Sequence, residues 1–240
     1  KIDPDESSIV FETEFLCKYN ALRMRALQRE VGEELGYDLE DGIKKGEVLS
    51  LSELAEALAP PFAPVRFRTW FYRVDLSRRI NFKVDSGEFA DSFWKTPDEL
   101  LETFNTGKSL MVPPTRWVLE GLQKNPQATV FGDLSQNFAE NKTVPCLEML
   151  EGVPQYAVRS ATLPPASRTN AFLLGDADAP KLLIDPSPNS AEEYQRLLNT
   201  IEGKKLDAIF LTHHHPDHHQ FSNQLARQLK LPIFLSQDTQ

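Results

Sequence analysis

Apolar residues recur at spacings of three and four through residues 20–35, where Met24, Leu27, Val31 and Leu35 form one stripe. That period predicts an amphipathic helix, and Gly36 directly after it is a natural left-handed stop. The pattern then changes: residues 66–76 (RFRTWFYRVDL) are rich in aromatic and β-branched side chains and predict a strand. Thr96 ahead of Pro97 marks a helix start, with Thr96 as the cap and proline at the first helical position. The segment from Val112 to Thr115 opens another helix that runs to Leu122.

From Gln123 to Glu151 no period is sustained, and Asn, Gln, Pro and Gly are scattered, which predicts a linker or domain boundary. Beyond it the rhythm sharpens. Residues 171–174 and 181–185 read as two strands of a hairpin joined over Gly175–Pro180. Residues 190–201 predict a helix, capped by Ser190 and carrying Glu192 and Glu193 in its first turn, where the helix dipole favours negative charge. The apolar run 206–212 (LDAIFLT) suits a buried strand of the parallel kind. Residues 220–230 look helical, and 231–236 (LPIFLS) return to strand. Strand, helix, strand, loop, helix and strand in succession make an α/β alternation. No internal repeat or low-complexity tract interrupts it.

Composition narrows the class without naming it. A length of 240 residues leaves room for one large or two small domains, and 40% hydrophobic with 25% charged residues is ordinary for a packed globule. No apolar run approaches the roughly 20 residues needed to span a bilayer, and the chain does not open on a charged-then-apolar signal. A cytoplasmic protein with no membrane partner is the expectation. The net charge of -9 disfavours nonspecific nucleic-acid binding, which rests on Lys and Arg neutralising phosphates. Cys17 and Cys146 are far apart and fit neither a disulfide framework nor a thiolate zinc site, so both are expected as reduced thiols.

The chemistry concentrates after the predicted strand 206–212. All 5 histidines fall within residues 213–219. Neutral imidazole is the commonest biological metal ligand, and zinc takes nitrogen and oxygen donors in tetrahedral array. His213 and His215 lie two apart, so on an extended segment their side chains leave the same face and can close on one ion. Asp217 and His218 follow on a turn begun by Pro216 and could reach a second. A purification tag would be homopolymeric and terminal, whereas this cluster is interrupted and embedded. Satisfied core histidines rarely come in such a string.

Residues 212–218 (THHHPDH) resemble the H-x-H-x-D-H motif of the metallo-β-lactamase superfamily, and Leu182–Asp185 resembles that family's earlier strand, whose terminal aspartate supports the metal loop. The resemblance implies that His213 and His215 ligate a first zinc, that Asp217 and His218 ligate a second, and that Asp185 supports them. It leaves His214 a bystander at a variable position. Two departures stand out. Gln220 occupies a position where the family often has glycine, and no histidine follows His219 to supply the family's later ligands. The likeness therefore covers residues 150–240, the front half of a family domain.

A second constellation lies at residues 29–37 (REVGEELGY). On a helix Glu30, Glu33 and Glu34 stand at i, i+3 and i+4, and like charges at those spacings destabilise an isolated helix by about 0.2–0.5 kcal/mol per pair. A bound hard cation such as Mg²⁺ would remove that penalty; a solvated acidic face is the alternative. These residues resemble the second half of the Nudix box, R-E-U-x-E-E-x-G-U, and the aromatic run 67–72 with residues 113–117 resembles an interrupted-box subgroup that includes coenzyme A diphosphatases. By that likeness Glu30, Glu33 and Glu34 would hold Mg²⁺ or Mn²⁺ on a diphosphate, with Glu33 and Glu34 catalytic. Glu6 would pair with Arg29 across an insertion.

Together these readings predict an α/β and α+β chain. A partial Nudix α/β/α sandwich would occupy residues 1–122 and a linker 123–150. The first half of a metallo-β-lactamase αββα fold would fill 151–240. The function they imply is a metal-dependent hydrolase in which a zinc-bound hydroxide attacks an ester, thioester or phosphodiester of a small-molecule substrate, with Asp217 among the catalytic groups. The alternatives are a Mg²⁺-dependent Nudix hydrolase acting on a nucleoside diphosphate derivative or coenzyme A, and a non-catalytic ligand-binding module with a structural metal.

Overall fold

Helix α1, Ala21–Leu35, begins where the Asn20 side chain accepts from the amides of Leu22 and Arg23, which satisfies two of the donors a helix start leaves unpaired. It ends where Gly36 turns left-handed, with φ 59°, its amide on the Gly32 carbonyl and the Tyr37 amide on that of Val31. Only glycine fits here, because a Cβ would meet the Lys83 carbonyl at 2.8 Å. The computed structural model describes residues 20–63, 65–84, 87, 92–136, 142–176 and 178–235. The described residues divide into two compact units, one of residues up to Ser52 with Tyr72–Trp94, and the other of Glu53–Phe71 with those from Lys95 onward.

The first unit holds α1, the short helix α2 (Leu39–Lys44), the start of strand β1 (Val48–Leu58) and the end of strand β2 (Arg68–Leu76). Its core is Met24 and Leu51, packed by Leu27, Ile43, Tyr72 and Val74. The apolar stripe expected on α1 does face inward at Met24 and Leu27, and β2 falls on the predicted aromatic run. Strand β1 and helix α2 had no sequence expectation. The β1 run VLSLSELAEAL alternates only partly and is as compatible with helix as with strand, so pairing decided it.

In the second unit Thr96 caps helix α3 (Pro97–Asn105) through a capping box with Glu99, as the Thr-Pro start predicted. Helix α4 (Pro113–Lys124) sets Val118 and Leu122 on Leu54, Ala55, Phe71, Phe131 and Leu134. Strand β3 (Gly132–Asp133) pairs parallel with β1, Ala55 opposite Gly132.

Beyond residue 144 the described strands form a sheet in simple sequence order. It comprises β4 (Cys146–Leu147), β5 (Gln155–Arg159), β6 (Arg168–Leu174), β7 (Leu182–Ile184), β8 (Ala208–Leu211) and β9 (Ile233–Leu235). The first pairings, from β4 to β7, are antiparallel; β7–β8 and β8–β9 are parallel. Each parallel step needs a crossover, supplied by helix α5 (Ala191–Ile201) and then by the one-turn α6 (Pro216–His219) with α7 (Ser222–Leu229). Tyr194, Leu197 and Ile201 of α5 and Leu225 and Ala226 of α7 pack on Tyr156, Val158, Leu173, Leu183, Ile209 and Leu211 to make the core. The hairpin, the Ser190-capped helix and the buried parallel strand all fall where the apolar pattern placed them.

Glu193 fastens α5 to this sheet. It is 2% exposed and accepts from the Arg159 amide at 2.9 Å, with Arg168 Nη1 at 3.4 Å and Arg196 Nη1 at 3.5 Å. Among the described residues no helix is long and apolar enough to cross a membrane.

Removing one partner of a buried charge network leaves the others uncompensated. Glu193→Ala is therefore expected to lower unfolding stability by about 3–5 kcal/mol, and Glu193→Gln by less, because its amide oxygen still accepts. Urea unfolding followed by circular dichroism measures both, and equal, small losses would contradict the assignment.

Candidate metal centre

Parallel pairing of β7 with β8 sets Ile184 opposite Phe210, so both strands end at one edge of the sheet. The residues just past those ends, Asp185 and Thr212, are thereby neighbours. Open α/β sheets collect their functional loops at this carboxyl edge. Asp185 turns left-handed at φ 47°, a conformation that costs a non-glycine residue about 1–2 kcal/mol and that aspartate tolerates better than most. The turn drives its carboxylate into the protein, where it is 4% exposed.

Each oxygen of that carboxylate is used. Oδ1 accepts from the Thr212 amide at 2.8 Å, and Oδ2 accepts from the Thr212 hydroxyl at 2.6 Å and from His218 Nδ1 at 2.9 Å. A donating Nδ1 fixes the His218 tautomer and leaves Nε2 with its lone pair exposed, the arrangement a metal ligand needs. His213 Nδ1 lies 2.9 Å from the same Thr212 hydroxyl.

Around this anchor the loop closes on itself. The His213 ring is 4.0 Å from that of His218 and 4.7 Å from that of His215, centroid to centroid. His218 Nε2 is 3.7 Å from Asp217 Oδ2. The buried loop Asp185–Pro188 clamps the far side: Ser187 donates to the Pro216 carbonyl at 3.0 Å and accepts from the Gln220 amide at 2.9 Å. Ser222 donates to the Pro186 carbonyl at 3.3 Å. Gln220, where a glycine was expected by resemblance, buries its side-chain oxygen without a hydrogen-bond partner.

The electrostatics suit metal binding. Desolvation, then the neighbouring His218 and His215, hold His213 below its ordinary pKa and so favour the neutral imidazole that ligates. Desolvation alone would raise Asp217. A hydrogen bond from the Thr162 side chain and the charges of His218 and His215 outweigh it, and the net shift is downward, towards the ionised carboxylate.

Asp185, His213 and His218 offer ligand atoms within 4.8 Å of one another. Chemistry separates Asp185 from the others, because its carboxylate already accepts three hydrogen bonds and carries the His218 ring. It reads as the anchor, with His213, His215, Asp217 and His218 as the available donors. Three imidazoles and one carboxylate are a donor set that suits zinc. The cluster faces solvent through His215, which is exposed. A groove of about 620 Å³ between the end of α5 and α7 lies instead beside Leu206, at the opposite end of β8.

Of the other expected site residues, His214 is exposed and its carbonyl accepts from His219 Nε2 at 3.0 Å, outside the cluster. Glu30 and Glu33 are exposed on α1 and both pair with Arg29, the latter at 2.9 Å. Glu34 is half-buried on the same helix. Glu6, the expected partner of Arg29, lies outside the described residues, as does Cys17. Thr162, Thr169 and Ser187 were missed from the sequence. Hydroxyl residues on loops and strand edges carry no periodic signal, and only the fold brings them to Asp217 and Pro216.

A family model of the metallo-β-lactamase superfamily matches residues 164–239, which span β6 through β9 and contain every donor of the cluster. No curated protein and no solved structure matches the chain. The matched stretch is thus similar to the metallo-β-lactamase superfamily, and the match does not reach the carboxylate helix α1.

Asp185→Asn keeps a side chain that tolerates the left-handed turn but replaces one acceptor oxygen with a donor. Loss of a partner that orients a ligand typically weakens metal affinity about 10–100-fold, and that range is expected for Zn²⁺ here, read by competition with a chromophoric chelator. An unchanged affinity would remove Asp185 from its anchoring role.

Proposed function

We propose that this chain is a metal-dependent hydrolase whose working centre is the His213, His215, Asp217 and His218 cluster, with zinc as the metal. The observation that supports the reading is the approach of His213 and His218 past β8, with the His218 ring locked by a buried aspartate so that its second nitrogen stays available and with Asp217 Oδ2 3.7 Å from it. A divalent ion there would supply Lewis acidity, polarising the bond under attack and lowering the pKa of water. Around it, desolvation and then the neighbouring His218 and His215 favour the neutral form of His213, the lowered pKa of Asp217 favours its carboxylate, which could take a proton at Oδ2, and Asp185 fixes His218. An ester, thioester or phosphodiester in a small molecule fits that chemistry, and the open face at His215 leaves the reacting group accessible.

The carboxylate helix is a weaker seat for catalysis. Two of its three glutamates share the single positive charge of Arg29, so the repulsion that a Mg²⁺ ion would relieve is partly met within the helix.

Hydrolysis of thioester and phosphodiester reporters is expected to need Zn²⁺, to vanish with chelator, and to fall by at least about 100-fold in Asp217→Ala, the scale of a lost catalytic acid–base group. Binding of Zn²⁺ should weaken as pH falls through the imidazole range, because protons compete for the ligand nitrogens, and recover as pH rises. A pyrophosphatase activity that needs Mg²⁺ and disappears in Glu33→Gln would move the function to α1. Zn²⁺ binding with no hydrolysis of any reporter would favour a structural metal.

A further inference from the structure

Asp217 sits on α6, a single helical turn that does little by itself to hold a side chain in one direction. Beyond its own backbone, the hydrogen bond it accepts comes from the β5–β6 hairpin, an element outside the histidine motif. Thr162, in the hairpin loop, is near enough for its side chain to help lower the Asp217 pKa. Thr169, on β6 opposite Val158, places Oγ1 at 3.4 Å from Asp217 Oδ2, at the long end for a hydrogen bond. Behind it Ser160, 5% exposed, lies 2.6 Å from Thr169 Oγ1.

The direction of this chain follows from proton count. An ionised carboxylate only accepts, so Thr169 must donate to Asp217. With its one proton committed, Thr169 accepts from Ser160. The order Ser160 to Thr169 to Asp217 is then a relay in which each bond strengthens the next. Ser160 is itself fixed, its carbonyl accepting from the Asn189 side chain at 3.3 Å.

The alternative partner for Asp217 is close. His218 Nε2, the nitrogen that Asp185 leaves free, stands 3.7 Å from Oδ2. Without the hydroxyls the carboxylate could close that gap, pairing with the imidazole and removing two donors at once. We propose that Thr162 and Thr169, backed by Ser160, are positioning residues that hold the Asp217 carboxylate off His218 and aim it at the metal, so that the β5–β6 hairpin sets the affinity of the ion Asp217 binds. This rests on the metal-centre reading and extends it to residues outside the ligand motif.

The test is Zn²⁺ affinity of the full chain by chelator competition. The double variant Thr162→Val with Thr169→Val is expected to bind about 10–100-fold more weakly, as is usual when a ligand's hydrogen-bonding partner is lost. Thr162→Ser with Thr169→Ser should restore binding. In the Asp217→Asn background the valine changes should add no further loss, which a merely structural role would not reproduce. Unchanged affinity in the valine variant, or an equal loss with Asp217 already replaced, overturns the inference. If the valine variant fails to fold by circular dichroism, Ser160→Ala takes its place. A smaller loss that disappears with Asp217→Asn supports the relay, and no loss overturns it. A parent chain that binds no Zn²⁺ would remove the metal centre and this inference together, whereas a binding parent with an unaffected valine variant removes the inference alone.

Discussion

The parallel pairing of β7 with β8 is the constraint on which the site depends. It places the residue after one strand beside the residue after the next, and so delivers a buried carboxylate from Asp185 to the base of the histidine loop. An antiparallel partner would have put that carboxylate at the other end of β8. The left-handed turn at Asp185 is tolerated because three hydrogen bonds hold the side chain once it is inside. Burial of those groups without each other would cost more than the turn does.

Around that anchor the loop is held from two sides by different chemistry. The Asp185–Pro188 segment fixes its backbone through Ser187 and Ser222, leaving the imidazoles free of structural duty. The β5–β6 hairpin supplies hydroxyls to Asp217. The same hairpin is secured through the Glu193 network to α5, whose apolar face fills the core. A residue far from the histidines, such as Glu193, therefore belongs to the chain of contacts that keeps their neighbours in place.

Glu30, Glu33 and Glu34 show the contrast with a site made by one element alone. Helical spacing brings them to one face, yet that face is solvated and answered by Arg29 from within the same helix. Periodicity can gather like residues, but it cannot desolvate them or supply the opposing donors that perturb and aim a functional group.

The elements of the C-terminal sheet were legible in the sequence because each carries a strong local cue. Ser190 caps its helix, Gly175–Pro180 breaks the hairpin, and LDAIFLT is apolar enough to be buried on both faces. The histidine spacing likewise marked the candidate donors, of which His213 and His218 come together beside Asp185. Strand β1 and the two-residue strands β3 and β4 were not legible, since short or ambiguous runs take their form from partners distant in sequence.

What the sequence determined by itself was the inventory: which residues could bind a metal, and which strongly patterned segments would be helix or strand. Tertiary structure alone decided the roles within that inventory. Asp185 became an anchor, His218 was left with a free Nε2, and Thr162 and Thr169 turned towards Asp217, because side-chain direction and burial are set by contacts across the sheet rather than by neighbours along the chain.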